Sequence, residues 1–174
     1  VTDPTNPIVI GELQIPGFSS YLHPINIDGV DMMIGVGRHV DPASGRNDGA
    51  KISLFDISDP TNPNENATFI DMGAYSSAGN DFYSFRYLNL NKKLILPKSK
   101  YSYRVGENFD GFMVYDVRLG SIAPRYQIQH ADPYEIRYGC WYQARMPARS
   151  LVFRTQLITI LSHSVIGTNL GTGG

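Results

Sequence analysis

Short runs in which apolar residues alternate with polar ones recur along the whole chain, and each run is bounded by Gly, Pro, Asn or Asp. A period of two residues with such boundaries predicts β-strands, and no stretch shows the period of an amphipathic helix. The predicted strands are 8–15, 31–36, 51–57, 67–72, 82–88, 94–96, 111–117, 125–129, 150–153, 156–161 and 164–169. Residues 21–24 and 39–49 lie between runs and are predicted to be loops. We therefore expect an all-β protein.

A repeat organises these strands. The pentapeptide Asp-Pro-Thr-Asn-Pro begins at Asp3 and again at Asp59, an offset of 59 − 3 = 56 residues. A fainter repeat closes later strands, since residues 55–57 (Phe-Asp-Ile) are echoed by residues 115–117 (Tyr-Asp-Val) and by residues 167–170 (Gly-Thr-Asn-Leu). Units of four antiparallel strands at about 40 to 60 residues per repeat are typical of β-propeller blades.

The pentapeptide predicts the register of the whole chain if it joins the third strand of each unit to the fourth. The units are then an outer strand in 1–15, four-stranded blades in 16–72 and 73–130, and an incomplete three-stranded blade in 131–174. Such a partial β-propeller leaves residues 164–170 as an open sheet edge. Residues 8–15 of another copy of the chain, or other blades of a parent propeller, would complete it by strand complementation. An irregular β-sandwich with an accidental repeat is the alternative.

The same residues carry a resemblance. The runs from Thr2 to Leu13, from Ile15 to Ile25 and from Lys51 to Pro60 closely resemble the C-terminal β-propeller domain of a family of predicted secreted proteins, which is distantly similar to WD40 propellers. The similarity weakens through residues 82–97 and returns at 149–162. Beside Asp81, where that family would have a polar residue or histidine, this chain has Phe82, so no site is carried over there. The resemblance implies the last few blades of a larger ring and an extracellular or cell-surface location, but no established activity.

Composition narrows the classes of function. Lys and Arg number 15 against 16 Asp and Glu, for a net charge of −1, so nothing favours nucleic acid or an anionic membrane surface as a partner. The single Cys140 excludes an internal disulfide or a multi-cysteine metal site, and we interpret it as a buried inert thiol. No apolar run approaches the roughly 20 residues of a transmembrane helix. Because the chain starts at Val1 without a signal-like segment, we expect it to be a processed or excised piece of a longer precursor.

The histidines do not predict a catalytic or metal site. His23, His39, His130 and His163 lie far apart in sequence, without metal-ligand spacing, and are interpreted as structural. Ser162 and Ser164 flank His163, but no Gly-x-Ser-x-Gly elbow accompanies them, so catalysis there is not predicted. The competing hypothesis is a hydrolase or metal-dependent enzyme, with a site in the propeller channel built from His23, His130 and nearby carboxylates.

One loop and one triplet remain as candidates for binding or modification. Residues 41–49 carry side-chain oxygens that suit calcium, but the spacing is not that of an EF-hand and Arg46 would repel a cation. We therefore favour a plain Asx-turn loop there over a calcium site, and expect no cofactor. Asn66-Ala67-Thr68 fits the acceptor pattern for N-glycosylation in a secreted protein.

These observations together favour a non-catalytic module. We expect a binding or structural segment of a secreted or surface β-propeller, which mediates interactions with proteins or glycans and takes part in assembly, up to a surface filament formed by strand addition. No catalytic and no metal-binding residue is predicted. The loop residues expected to contact a partner are Tyr21, His23, His39, Asp41 and Asp48.

Overall fold

The strands form three antiparallel sheets. The computed structural model describes residues 5–102, 107–131, 147–161 and 164–173. The first sheet has the order β1-β2-β3-β4, with strands Phe18–Ile27, Val30–Val40, Asn47–Asp56 and Asn64–Met72. The middle sheet contains β5 to β9, which are Ala74–Tyr75, Arg86–Leu88, Lys93–Lys100, Phe109–Arg118 and Ser121–Gln129. The third sheet has the order β10-β11-β12, with strands Arg149–Phe153, Gln156–Leu161 and Ser164–Asn169.

The middle sheet is covered on both faces, which explains its continuous apolar runs. Leu94 and Leu96 of β7 belong to the hydrophobic core shared with the first sheet, whereas Ile95 between them belongs to the core shared with the third sheet. On β8, Met113 likewise packs towards the first sheet and Phe112 towards the third. Successive strand residues point to opposite faces, so a strand buried on both sides loses the alternation of apolar and polar residues. The three sheets are therefore stacked face to face.

The sheets repeat in detail. The turns between β1 and β2, between β6 and β7 and between β10 and β11 each hold one non-glycine residue in left-handed conformation, namely Asp28 (φ 53°), Lys92 (φ 52°) and Arg154 (φ 56°). A backbone N–H at the end of β3, β8 and β12 donates to a carbonyl beside these turns: Ile57, just after β3, to Asp31 at 3.1 Å; Val117, within β8, to Lys92 at 2.9 Å; and Leu170, just after β12, to Thr155 at 2.8 Å. The faint repeat at residues 55–57, 115–117 and 167–170 therefore marks equivalent positions.

The all-β prediction is confirmed, with three local differences besides a shorter loop at 39–49, where β2 extends to Val40 and β3 begins at Asn47. Residues 21–24, predicted as a loop, lie inside β1, because the side chains of Tyr21 and Ile25 pack against the core shared with the middle sheet. Residues 82–88, predicted as one strand, instead form a 3-10 turn at Phe82–Ser84 and the short strand β6. Asp81 caps that turn by accepting from the N–H of Tyr83, which withdraws the backbone from the sheet.

The third difference concerns the start of the chain. Residues 8–15, predicted as a strand, are not paired with any strand among the described residues. β5 and β6 both pair with β7 on the same edge, so the middle sheet has five strands in place of the four expected. The first sheet lies within 16–72, the middle sheet within 73–130 and the third within 131–174.

Candidate interaction surfaces

Tyr21 and His23 lie at the contact between the first and middle sheets. The hydroxyl of Tyr21 is 3.0 Å from Nδ1 of His23, and the His23 ring lies 4.6 Å from the ring of Phe85, which follows the 3-10 turn. Burial lowers the pKa of His23 below its usual 6.5, because a charged imidazole is poorly solvated there. Tyr21 and His23 lie in β1 and not in a loop. Their side chains contact each other and Phe85, so they connect the first and middle sheets.

His39, Asp41 and Asp48 surround the hairpin between β2 and β3. Nδ1 of His39 lies 2.6 Å from Oδ1 of Asp48, at the point where the two strands separate. Asp41 accepts from the hydroxyl of Ser44 at 2.6 Å and from the N–H of Ala43 at 3.0 Å, and these bonds lower the pKa of its carboxyl. The carboxylates at this hairpin therefore brace the turn itself, in the manner of an Asx turn.

His130 joins the middle sheet to the third. Its Nδ1 lies 2.6 Å from Oγ of Ser164 and its Nε2 lies 2.8 Å from Oγ1 of Thr159. His23 contacts Phe85 at the other sheet contact, so the two histidines of the channel-site hypothesis make separate sets of contacts. In the part of the chain that the structure describes, no three His, Cys, Asp or Glu side chains are grouped as metal ligands would be. Cys140, Ser162 and His163 lie outside the described residues.

Two arginines that the sequence did not indicate connect the middle and third sheets. The guanidinium of Arg86 donates to the carbonyl of Ser150 from Nε at 2.9 Å and from Nη2 at 2.5 Å, and Nε also lies 3.2 Å from the Ser150 hydroxyl. Nη1 of Arg149 lies 2.6 Å from Oδ2 of Asp81. These pairs are separated by 64 and 68 residues. No local sequence pattern predicts such long-range contacts. Asp81 is, however, next to Phe82, the position at which this chain departs from the family pattern.

An exposed aromatic pair adjoins these arginines. The rings of Phe82 and Tyr83 are 4.1 Å apart, and 56% and 66% of their respective surfaces are exposed. The guanidinium carbon of Arg149 lies 5.5 Å from the centre of the Tyr83 ring. Flat exposed rings next to a charged pair offer both stacking and hydrogen bonding to a ligand.

The two outermost sheets each carry an apolar face that no described residue covers with a further sheet. We call the first the β1 face; it borders a groove with Leu13, and its residues are Phe18, Leu22, Met33, Phe55 and Ile57. The second is the β10 face, on the side of the third sheet turned away from its core, and its residues are Leu151, Phe153, Ile158, Ile160 and Val165. Phe153 is 61% exposed and Val165 is 67% exposed. Such side chains are normally buried.

Asn66, the predicted glycosylation acceptor, lies on β4. Its Oδ1 accepts from the N–H of Gly120 at 2.5 Å, in the turn that joins β8 to β9 of the middle sheet. The residue is half-buried and takes part in packing between sheets. Its glycosylation remains a prediction.

Comparisons with known proteins found relatives that share part of this sequence. An uncharacterised protein of Methanocaldococcus jannaschii is 41% identical over 101 residues, which cover 58% of this chain and 15% of that protein. An uncharacterised protein of Archaeoglobus fulgidus is 37% identical over 103 residues, 59% of this chain and 15% of that protein. The matched region thus spans about a seventh of these relatives. No solved structure matches the chain.

The described residues contain no helix long and apolar enough to cross a membrane. The family model described as a beta propeller domain matches residues 1–172, which is nearly the entire chain. Together with the three stacked antiparallel sheets and their repeated turns, this match assigns the family: the chain belongs to the β-propeller domain family.

Proposed function

We propose that the chain is a non-catalytic structural and binding segment of a secreted or cell-surface β-propeller. It assembles with further antiparallel sheets through its β1 and β10 faces, and it presents side chains at its sheet ends to protein or glycan partners. The observation that carries this proposal is the pair of exposed apolar faces at the two ends of the stack.

The middle sheet shows how apolar side chains of the same kind are buried when both faces of a sheet are covered. Its buried residues are of the same kind as those on the two open faces, yet Phe112, Leu94 and Val114 are fully buried because a neighbouring sheet covers each side. Burying apolar surface contributes about 25 cal/mol per Å². Leaving two such faces in water is therefore costly, and covering them with further sheets is the arrangement that the rest of the stack already uses.

Binding to a partner would take place on the surfaces not used for assembly. Phe82 and Tyr83 form an exposed platform suited to stacking on a sugar ring or an apolar side chain, and the adjacent pair of Arg149 with Asp81 offers polar contacts. His39 and Asp48 at the β2–β3 hairpin are half-buried in their own contact, so the hairpin presents a braced loop. Function on a rigid β-scaffold is commonly carried by such surfaces.

The extracellular part of the proposal rests on sequence. The resemblance to predicted secreted propellers and the Asn66-Ala67-Thr68 triplet both favour a secreted or surface location. Partners and activity of the whole protein are not inferred from the two relatives, because the chain covers only 15% of each.

The assembly role is tested by placing a charge on each open face. Leu22→Asp on the β1 face and Phe153→Asp on the β10 face should each weaken concentration-dependent association in sedimentation velocity, without changing the far-UV circular dichroism. Leu90→Asp is the matched control, because Leu90 is 98% exposed at a turn away from both faces. Association that is unaffected by the two face variants would overturn the proposed assembly.

The non-catalytic role has its own test. Purified protein is analysed for bound metal and screened for hydrolase activity before and after chelation. We expect no stoichiometric metal and no turnover. Stoichiometric metal that is lost together with an activity would contradict the proposal and support the enzyme hypothesis.

A further inference from the structure

The 3-10 turn at Phe82–Ser84 holds two aromatic side chains out from the middle sheet. Its buried residue is Ser84, whose hydroxyl and N–H donate to the carbonyl of Asp81 at 2.7 Å and 3.0 Å. The residue that follows the turn, Phe85, is buried in the core shared with the first sheet. The turn is therefore fixed at its buried end. Its two aromatic rings are already positioned, so ordering them costs a ligand little of its binding free energy.

The rings of Phe82 and Tyr83 are exposed at a place that neither open face includes. More than half of the surface of each ring is in contact with water, although the two rings touch each other. Both side chains extend from the middle sheet, whose two faces are already covered by the first and third sheets. Covering the β1 face and the β10 face with further sheets therefore does not by itself bury this aromatic pair.

The ion pair beside the rings keeps hydrogen-bonding capacity on both partners. Asp81 accepts from Nη1 of Arg149 at Oδ2 and from the N–H of Tyr83 at Oδ1, which uses two of the roughly four lone-pair directions of a carboxylate. The same Nη1 donates to the carbonyl of Ala148 at 2.7 Å. Within the described residues no hydrogen bond is formed by Nε or Nη2 of Arg149. Both side chains are partly exposed, so a bound molecule can reach an acceptor and a donor together.

This combination of groups selects the chemistry of a ligand. The charges of Asp81 and Arg149 cancel, so the site favours a neutral molecule over an acidic or a basic one. An aromatic ring has a negative face, which attracts the slightly positive C–H groups on the flat side of a sugar ring. A hydroxyl group both donates and accepts, so neighbouring hydroxyls can donate to the carboxylate and accept from the guanidinium. An apolar protein side chain would use the rings only and leave the polar pair without a role.

We propose that Phe82, Tyr83, Asp81 and Arg149 form a binding site for a neutral glycan. One hexopyranose unit stacks its C–H face on the aromatic pair, and its hydroxyls donate to Asp81 and accept from Arg149. This inference rests on the proposed function as a binding module and names the class of ligand and the site. The guanidinium carbon of Arg149 lies 5.5 Å from the centre of the Tyr83 ring, so a single sugar unit can contact both the rings and the ion pair.

Isothermal titration calorimetry of the 174-residue chain tests the aromatic part of the site. The probes are the β-1,4-linked hexamers of glucose, mannose and N-acetylglucosamine, and we expect at least one of them to bind. Phe82→Ala/Tyr83→Ala should weaken that binding about tenfold or more, because both stacking surfaces are lost. Phe153→Ala is the matched control, since Phe153 is also an exposed ring beside an arginine but lies on the β10 face. It should bind like the wild type, and circular dichroism should be unchanged in both variants.

Asp81→Asn tests the polar part without removing the cap of the turn. Asparagine keeps a side-chain oxygen that can accept from the N–H of Tyr83, but it lacks the negative charge. The neutral hexamer should therefore bind several-fold more weakly. Because Arg149 then leaves the site with a net positive charge, the α-1,4-linked hexamer of galacturonic acid should bind this variant more tightly than the wild type. Weaker binding of both the neutral and the acidic hexamer would instead indicate a structural role of Asp81 and contradict its place in the site.

Three results would overturn the inference. The first is a wild-type chain that binds none of the three neutral hexamers, and the second is equal binding by the wild type and Phe82→Ala/Tyr83→Ala. The third is binding of a proline-rich decapeptide in place of the sugars, lost in the same double variant, which would assign the rings to a protein partner. Association in sedimentation velocity and its loss in Leu22→Asp are measured separately. The proposed assembly can therefore stand when glycan binding fails, and the two failures are distinguishable.

Discussion

Arg86→Ala should weaken the contact between the middle and third sheets. The carbonyl of Ser150 accepts two N–H groups of the Arg86 guanidinium, and Ser150 is only 5% exposed. Removing the guanidinium of Arg86 leaves the buried carbonyl of Ser150 without these two donors. Hydrogen bonds to a charged group contribute about 1.5–3 kcal/mol, and Arg86 is itself half-buried, so we expect a loss of about 2–3 kcal/mol in the free energy of unfolding.

The assay combines thermal unfolding with amide hydrogen exchange. For a chain of this length a loss of 1 kcal/mol lowers the melting temperature by about 2–4 °C, so Arg86→Ala should lower it by roughly 4–12 °C. Amides of β10 to β12 should lose more protection than those of β1 to β4. Arg154→Ala is the matched control, because the Arg154 side chain lies over the exposed ring of Phe153 and should change stability by less than about 0.5 kcal/mol. Equal effects of the two variants would refute the reasoning.

Three further changes test other parts of the structure. Gly37→Ala should lower the free energy of unfolding by about 1–3 kcal/mol, because a Cβ there would lie 1.9 Å from the carbonyl oxygen of Phe18. Gly167→Ala should not, because nothing lies within 4 Å of a Cβ at that position. The midpoints of urea unfolding measure both effects. The lowered pKa of His23 means that the unfolded chain takes up a proton that the folded chain resists, so stability should fall as the pH drops from 7 to 5. His23→Phe should reduce that fall, and an unchanged pH dependence would count against the buried imidazole. The pKa of Asp59 is lowered by its bonds from the hydroxyl and N–H of Thr61, so its stabilisation is present above the usual 3.8 and lost as the pH falls through the lower folded value. Thr61→Val should raise the NMR titration midpoint of Asp59, and an unmoved midpoint would show that the hydroxyl has no such effect.

The strands β7 and β8 of the middle sheet were predictable because burial on both faces leaves a simple signature. Leu94, Ile95 and Leu96 are consecutive apolar residues, and each face of β7 needs such residues for its own core. The repeat at residues 55–57, 115–117 and 167–170 was equally readable, since the same backbone hydrogen bond recurs at the end of β3, β8 and β12. Both signals can be read from the sequence without knowing how the sheets pack.

The first strand and the sheet contacts were not predictable in the same way. Residues 21–24 contain Pro24 and His23, which suggest a loop, but pairing with β2 and packing against Phe85 make them a strand. The contact of Arg86 with Ser150 depends on how two sheets stack across 64 residues of sequence. Side-chain contacts between sheets are fixed by tertiary packing, and hence no single-strand pattern contains them.

Sedimentation velocity of variants on the two open faces tests the central claim most directly. Leu22→Asp on the β1 face and Phe153→Asp on the β10 face each place a charge where a further sheet is proposed to pack, and each should weaken concentration-dependent association. Leu90→Asp, at a turn where the side chain is 98% exposed, should associate like the wild type. Equal association of all four proteins would contradict the account.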